Sequence, residues 1–311
     1  MDIHGRIDGI PCRLILDRDR FTLEILDHND KTGPGLFSTA PNDRIVVELA
    51  NGKIATLVGN VFSSRQSNFG SFSLTKLLSN RVLIGQREFL SGDRISEIAF
   101  TPTNEALAIF YRAHRGLRHI APEESTSGEA LLGNDFASKP IIVQTLDERK
   151  LTAARAELPD MQLTLEVEID YSFDIQGSRI TERRVARLTY IEPVLLDAAL
   201  ADTIALCNFF TLVVGEVVSP TALNLVLNPE LPEADVQVSA EDQLLVNLRR
   251  EFDLHVQTRK AGNEVEPGKA HRCLVSPALD GGAYNEILAS WMARRADWKE
   301  AYRGLAEVCA F

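Results

Sequence analysis

With only four cysteines in 311 residues, at positions 12, 207, 273 and 309, the sequence contains no Cys-x-x-Cys pair. Neither a zinc ribbon nor a thioredoxin-type site is written into it. Phosphate-binding loops are missing too: there is no GxxxxGK[ST] and no GxGxxG, and Gly33-Pro34-Gly35 reads as a turn. The GxSxG elbow and the HExxH helix, the commonest hydrolase signatures, do not occur. The first residues, Met1 to Leu16, lack a basic region followed by an apolar core, so no secretory signal is read. The most apolar run, Val194–Val214, is interrupted by Asp197, Asp202 and Asn208, which a membrane span tolerates poorly. A basic surplus is also lacking: 33 Lys+Arg face 44 Asp+Glu, a net charge of −11, which demotes a stand-alone nucleic-acid binder. These absences leave the expectation of a reduced, cytoplasmic protein with no cofactor, no metal and no membrane, in which Cys207 is a buried free thiol.

What is present is an ordinary globular composition, 45% hydrophobic and 25% charged, with material for two domains or one large β-domain and an appendage. The first 110 or so residues read as short strands. Arg13–Leu16 and Phe21–Leu26 flank a turn at 17–20, and Phe21, Leu23 and Ile25 alternate with polar positions. Arg44–Ala50 and Lys53–Val58 flank Asn51-Gly52, the dipeptide suited to a type I′ turn, which places Leu49 opposite Ile54 and Val47 opposite Thr56. Ser71–Leu78, Arg81–Ile84, Ile95–Phe100 and Ala106–Tyr111 are further strands. Short strands with frequent turn signals argue for an antiparallel sandwich or barrel. Residues 113–158 are less regular, and Pro122–Glu129 reads as an exposed loop.

The clearest hairpin follows. Leu163, Leu165, Val167, Ile169, Tyr171 and Phe173 share one face, and Glu166, Glu168 and Asp170 lie on the other. A turn at Gln176-Gly177 sets Arg187 opposite Glu166, Arg183 opposite Asp170, Leu188 opposite Leu165 and Tyr190 opposite Leu163. Pro193 and Gly215 bracket a broad apolar helix. Strands are expected at Ala222–Leu227 and Asp235–Val238. Ser239–Gln257 supports two readings, a helix capped by Ser239 and Asp242 or a strand through Phe252, Leu254 and Val256. From Tyr284 onward the pattern is helical, and Trp298, Tyr302, Leu305 and Val308 continue its apolar face. That face either docks back on the β-domain or begins a longer helical unit. The expected fold is therefore α+β: a β-rich, sandwich-like antiparallel domain over 1–120, a hairpin-plus-helix region over 121–280, and terminal helices over 281–311.

Three groups of residues are weighed for chemistry. Glu166, Glu168 and Asp170 form a carboxylate row, but Arg183 and Arg187 opposite them oppose cation binding. Residues Arg112 to His119 hold three arginines and two histidines, a cluster able to touch phosphate or an acidic partner and equally suited to a solvated loop. Arg250 and His255 have the R-x4-H form used by metal-independent ribonucleases, yet on an ideal helix a five-residue separation splays two side chains by about 140°. No catalytic, cofactor-binding or metal-binding residue is assigned.

Two strand patterns carry a family resemblance. After Ile7-Asp8-Gly9-Ile10-Pro11 come Gly52-Lys53-Ile54-Ala55-Thr56-Leu57-Val58 and then Arg81-Val82-Leu83-Ile84-Gly85-Gln86-Arg87-Glu88-Phe89, followed by Ile95–Phe100. The order resembles the N-terminal region of ApeA-type anti-phage, abortive-infection proteins, in which a "G-K-x-x-T-L" strand precedes a "V-x-I-G-x-x-F" strand. The Leu206–Val217 segment and Tyr284–Trp291 are similar to the same family, where they precede a C-terminal HEPN ribonuclease domain. The resemblance implies a sensing or regulatory part whose partner is a phage protein or its own HEPN domain. RNA is then reached only through an effector domain. In that family RNA cleavage uses an R-x4–6-H motif in the HEPN helices, and nothing after Trp291 here contains His, so no catalytic role is carried onto Arg250 or His255. The competing reading is a ribonuclease acting through Arg250 and His255 or as part of a longer nuclease. A carbohydrate-binding sandwich ranks behind both, because Trp291 and Trp298 both lie on the terminal helices. The apolar C-terminal helices also suggest a homo-oligomer.

Overall fold

The computed structural model describes residues 1–17, 21–28, 44–59, 62–69, 72–103, 117–120, 141–144, 150–174, 177–214, 217–228, 250–256, 281–295 and 297. Among the described residues fourteen strands join in one antiparallel sheet, and with two helices they make an α+β fold dominated by β-structure. In chain order the strands of the first half are β1 (Asp2–Ile7), β2 (Ile10–Leu16), β3 (Phe21–His28), β4 (Ile45–Leu49), β5 (Ile54–Val58), β6 (Phe62–Phe69), β7 (Phe72–Ser79) and β8 (Arg81–Gly85). Then come β9 (Ile95–Pro102), β10 (Leu117–Ile120), β11 (Ile141–Gln144), β12 (Lys150–Glu157), β13 (Met161–Asp174), β14 (Gly177–Val194), α1 (Leu196–Val214), β15 (Pro220–Leu227), β16 (Glu251–Val256) and α2 (Gly281–Ala293). The order across the sheet is β12-β13-β14-β9-β15-β16-β8-β5-β4-β1-β2-β3-β7-β6, and β10 pairs β11 separately.

This order forces the first half to curl. β7 and β8 are six strand positions apart in the sheet order, yet only Asn80 links them in the chain. Six inter-strand steps span about 29 Å on a flat sheet, and a two-residue step reaches about 7 Å. The array must therefore roll up until its two ends meet. At that junction the Ser79 hydroxyl donates to the Arg81 carbonyl at 2.8 Å. Inside the roll lie Leu14, Leu23, Val47, Ala55, Leu57, Leu77 and Val82, all without solvent exposure.

The second half covers its apolar face with helices instead. Leu163, Leu165, Ala186, Leu188, Ile98 and Leu225 point from β13, β14, β9 and β15 into a core that α1 and α2 close with Leu206, Phe210, Tyr284, Leu288 and Met292. The seam between the halves is visible in β8. Val82 and Ile84 enter the first core while Leu83, between them, enters the second. Successive side chains of a strand point to opposite faces, so the two cores lie on opposite sides of one continuous sheet. They also divide the chain differently from the expected segment boundaries, because β9, within 1–120, belongs to the second core.

Several expected features are corrected. Asn51-Gly52 does not form a type I′ turn: only Gly52 has positive φ, at 80°, and the amide of Gly52 donates to the Leu49 carbonyl. A three-residue loop results, and Glu48 faces Ile54, with Val47 facing Ala55. That register sends Val47, Leu49, Ala55 and Leu57 inward together. The I′ turn is at Asp8-Gly9, where φ is 49° and 81° and Ile7 faces Ile10. In the long hairpin, Asp174 faces Gly177, so the pairing lies two residues from the expected register and sets Leu163 opposite Leu188 and Met161 opposite Tyr190. A two-residue shift preserves the faces, and the core positions are unchanged. Pro193 closes β14 rather than opening the helix. It lies where the pairing with β9 is irregular, between Thr189 and Val194, so its missing N–H interrupts no regular ladder. Residues 251–256 of the ambiguous segment are strand, and Phe252 and Leu254 face the second core. β1, β6 and β12 were not read as strands from the sequence. Ala106–Tyr111, Pro122–Glu129, Asp235–Val238 and Trp298 onward lie outside the described residues, as do Cys273 and Cys309.

Candidate functional site

The two patterns that carry the family resemblance meet at the seam. β5 and β8 are neighbours, with Thr56 facing Leu83 and Ile54 facing Gly85. Thr56 turns away from the first core, and its hydroxyl accepts the backbone N–H of Phe89 at 3.0 Å. Phe89 is buried edge-on against Phe252 of β16, at 5.7 Å between ring centroids. Gly85 leaves room for that ring: a Cβ there would lie 2.6 Å from two Phe252 ring carbons. The Arg87 guanidinium stands 5.6 Å from the centre of the same ring and grips Asp93 with two hydrogen bonds of 2.9 Å. Asp93 also accepts the Leu90 N–H, which closes the loop after β8. At the other end of the pattern Lys53 pairs with Asp253 of β16 at 3.3 Å. Thr56, Gly85 and Phe89 thus form a packing unit around Phe252, with no reacting group among them, although three residues separate Gly85 from Phe89 where the family pattern has two.

Arg250 and His255 are kept apart. A five-residue separation along a strand puts two side chains on opposite faces and about 16 Å apart. The Arg250 guanidinium donates to the Leu227 carbonyl at 2.9 and 2.8 Å. His255 faces the first core and packs edge-on against Phe21, where burial lowers its pKa. One phosphate group cannot touch both.

Glu166 and Glu168 of the carboxylate row are neutralised by arginines, but Arg183, expected opposite Asp170, faces Glu168 instead, and the Asp170 side chain lies outside the described residues. Arg187, on β14, pairs with Glu97 of β9 and with Glu166 and Glu168 of β13, at 3.4 and 3.3 Å for the latter two, and Arg183 pairs with Glu168 at 2.6 Å. Burial works against the Arg187 charge, but Glu97 and Glu166 outweigh it and raise its pKa. Residues 112–116 of the basic cluster lie outside the described residues. Leu117–Ile120 form β10, in which His119 faces Ile142.

A second polar cluster was not singled out in the sequence. Asp202, nearly buried on α1, binds Arg295, which follows α2, and the same guanidinium reaches Asp160 between β12 and β13 and the Met292 carbonyl. Tyr190 sits beside Asp202 without an aligned hydrogen bond to its hydroxyl. Burial pushes the Asp202 carboxyl up, and Arg295 offsets this only in part. Burial and the Asp202 charge push the Tyr190 phenol up as well. The available signal was Asp202 itself, an acid inside an otherwise apolar helix. That helix is long and apolar enough by composition to cross a membrane, a test that buried core helices also pass, and 56% of the qualifying stretch is buried here.

Cys12 and Cys207 are buried free thiols; burial pushes Cys12 up to about 11 and raises Cys207 further. Among the described residues no three His, Cys, Asp or Glu converge as a metal site. Comparison with family models, with curated proteins and with solved structures finds no match.

Proposed function

We propose that this chain is the recognition part of an ApeA-type anti-phage defence protein, binding a phage protein and controlling a HEPN ribonuclease effector without catalysis of its own. The observation that carries the reading is the seam around Phe252. Two patterns about thirty residues apart in sequence interlock there through the Thr56–Phe89 hydrogen bond and the Gly85–Phe252 contact. Shared residues that build one folded unit are better grounds for a resemblance than residues scattered over a surface. The separation of Arg250 from His255 supports the non-catalytic half of the proposal, since general acid–base work needs both groups within reach of the reacting atoms. A cytoplasmic location, where a phage protein is met during infection, follows from the same reading.

The test is to express the complete reading frame that encodes the chain in a bacterial host and challenge it with a phage panel. Protection is expected, with escape mutations in one phage gene whose wild-type product binds the purified chain and whose escape product does not. Cleavage of RNA by the purified chain, lost in His255→Ala, would overturn the proposal in favour of a ribonuclease. Absence of protection against every phage would also count against it.

A further inference from the structure

Among the described residues, α1 and α2 carry few charges on their outward side in a protein where a quarter of the residues are charged. α1 lies over β9, β14 and β15, and α2 lies beside it over β12, so the two helices form one layer on the second core. α1 holds two charged residues, Asp197 and the buried Asp202, and α2 holds only Glu286. On the solvent side Ile204 is 54% exposed and Ile287 44% exposed, with Ala201 and Ser290 beside them along the two helices. A helix with one face on a sheet ordinarily turns charged residues to water. Large exposed aliphatic side chains with charge depleted around them are the mark of an interface core.

We propose that this layer is where a second copy of the chain docks, through a two-fold interface of α1 and α2. The charges on α2 and just after it favour a copy of itself over other occupants. Glu286 and Arg294 stand four residues before and four residues after Ser290. Two α2 helices crossing antiparallel at Ser290 therefore set Glu286 of each copy against Arg294 of the other, and Ile287 against Ala293. Arg294 also meets Asp297 at 3.4 Å, an exposed contact between residues three apart. A bilayer fits less well, because exposed Glu286 and the Asp197–Arg81 ion pair border the layer, and hydrocarbon accommodates such charged groups poorly. α1 and α2, about 28 and 20 Å long and about 10 Å wide, cover roughly 480 Å² in projection, and the relief of the side chains brings this toward the ~800 Å² per partner of a stable complex.

Sedimentation of the purified full chain over a concentration series tests the proposal. A monomer–dimer equilibrium is expected, and Ile204→Glu should weaken it on the order of 100-fold, since a two-fold interface carries every substitution twice. Glu286→Arg should weaken the dimer, and adding Arg294→Glu on the same chain should restore it. Both positions are on the surface, so this pair keeps the test decisive if the Ile204 variant fails to fold. A monomer at the highest soluble concentration overturns the proposal. So does a dimer indifferent to Ile204→Glu and to the charge exchange, or a monomer that floats with phosphatidylcholine–phosphatidylserine vesicles.

Discussion

The two halves of the sheet hide their apolar faces by different means, and strand length explains the choice. In the first half the strands are five to eight residues long and several are joined by tight turns, so the array rolls until β7 and β8 meet and its inner face closes on itself. In the second half β13 and β14 run for 14 and 18 residues, and a hairpin of that length presents a broad face that α1 and α2 cover. The halves are not independent, because β5 and β8 give alternate residues to each core. Covering a sheet by curling needs frequent reversals; covering it by helices needs an apolar helix that follows at once, as α1 follows β14.

The comparison breaks most readily at Phe252, whose ring holds Gly85, Phe89 and Arg87 together. Phe252→Ala should cost about 4 kcal/mol by denaturant titration, in line with other buried Phe truncations. Hydrogen exchange should then rise both in β5 and in α1. If only the second half loosens, the two cores are separate cooperative units. Arg295→Ala tests what closes the helical layer alone. It leaves Asp202 buried without its cation and should cost about 2 kcal/mol, less than a fully buried pair because Asp160 is half exposed.

Asp202→Asn should behave in the opposite way. The folded-state pKa of Asp202 is raised, so the carboxyl binds its proton more tightly when folded, and its ionisation opposes folding as pH rises above the ordinary value of 3.8. The stability of Asp202→Asn relative to wild type should therefore improve with rising pH from that point, as thermal melts across pH 4 to 7 would show (about the range where carboxylates titrate). A smaller effect is expected at Thr56→Val, which keeps the shape but leaves the Phe89 N–H without an acceptor, at about 1–2 kcal/mol. Smallest is Ala222→Gly. Ala222 has a φ of 46° at the bulge of β15, and relieving it should stabilise the second half by about 0.5 kcal/mol, with no change in the first.

Much of the sheet was legible in the amino-acid order. Phe21–Leu26, Arg81–Ile84, Ile95–Phe100 and Ala222–Leu227 were readable because apolar residues alternate or cluster there between turn signals. The Arg187–Glu166 pairing was readable for the same reason, since alternation puts complementary charges on one face, whereas the two-residue shift gave Arg183 to Glu168 in place of Asp170. β12, Lys150–Glu157, was not, because its inward residues Ala154 and Ala156 are small and contribute little contrast. β1, Asp2–Ile7, was missed because glycine, histidine and arginine occupy its middle and its stability comes from pairing with both β2 and β4.

Local chemistry by itself determined that the chain is strand-rich and antiparallel, that residues 196–214 form a buried apolar helix, and that Asn-Gly reverses the chain, because these depend on side-chain periodicity and on backbone torsions a few residues apart. Which dipeptide became the type I′ turn, and which side of β8 faces which core, were decided only when distant strands met. A one-residue change of register sends every side chain to the other face, so the register that buries the most apolar surface on both sides prevails. The separation of Arg250 from His255 belongs to the same class: a five-residue spacing does not reveal whether its residues form helix or strand, and pairing with β8 and β15 settled it as strand.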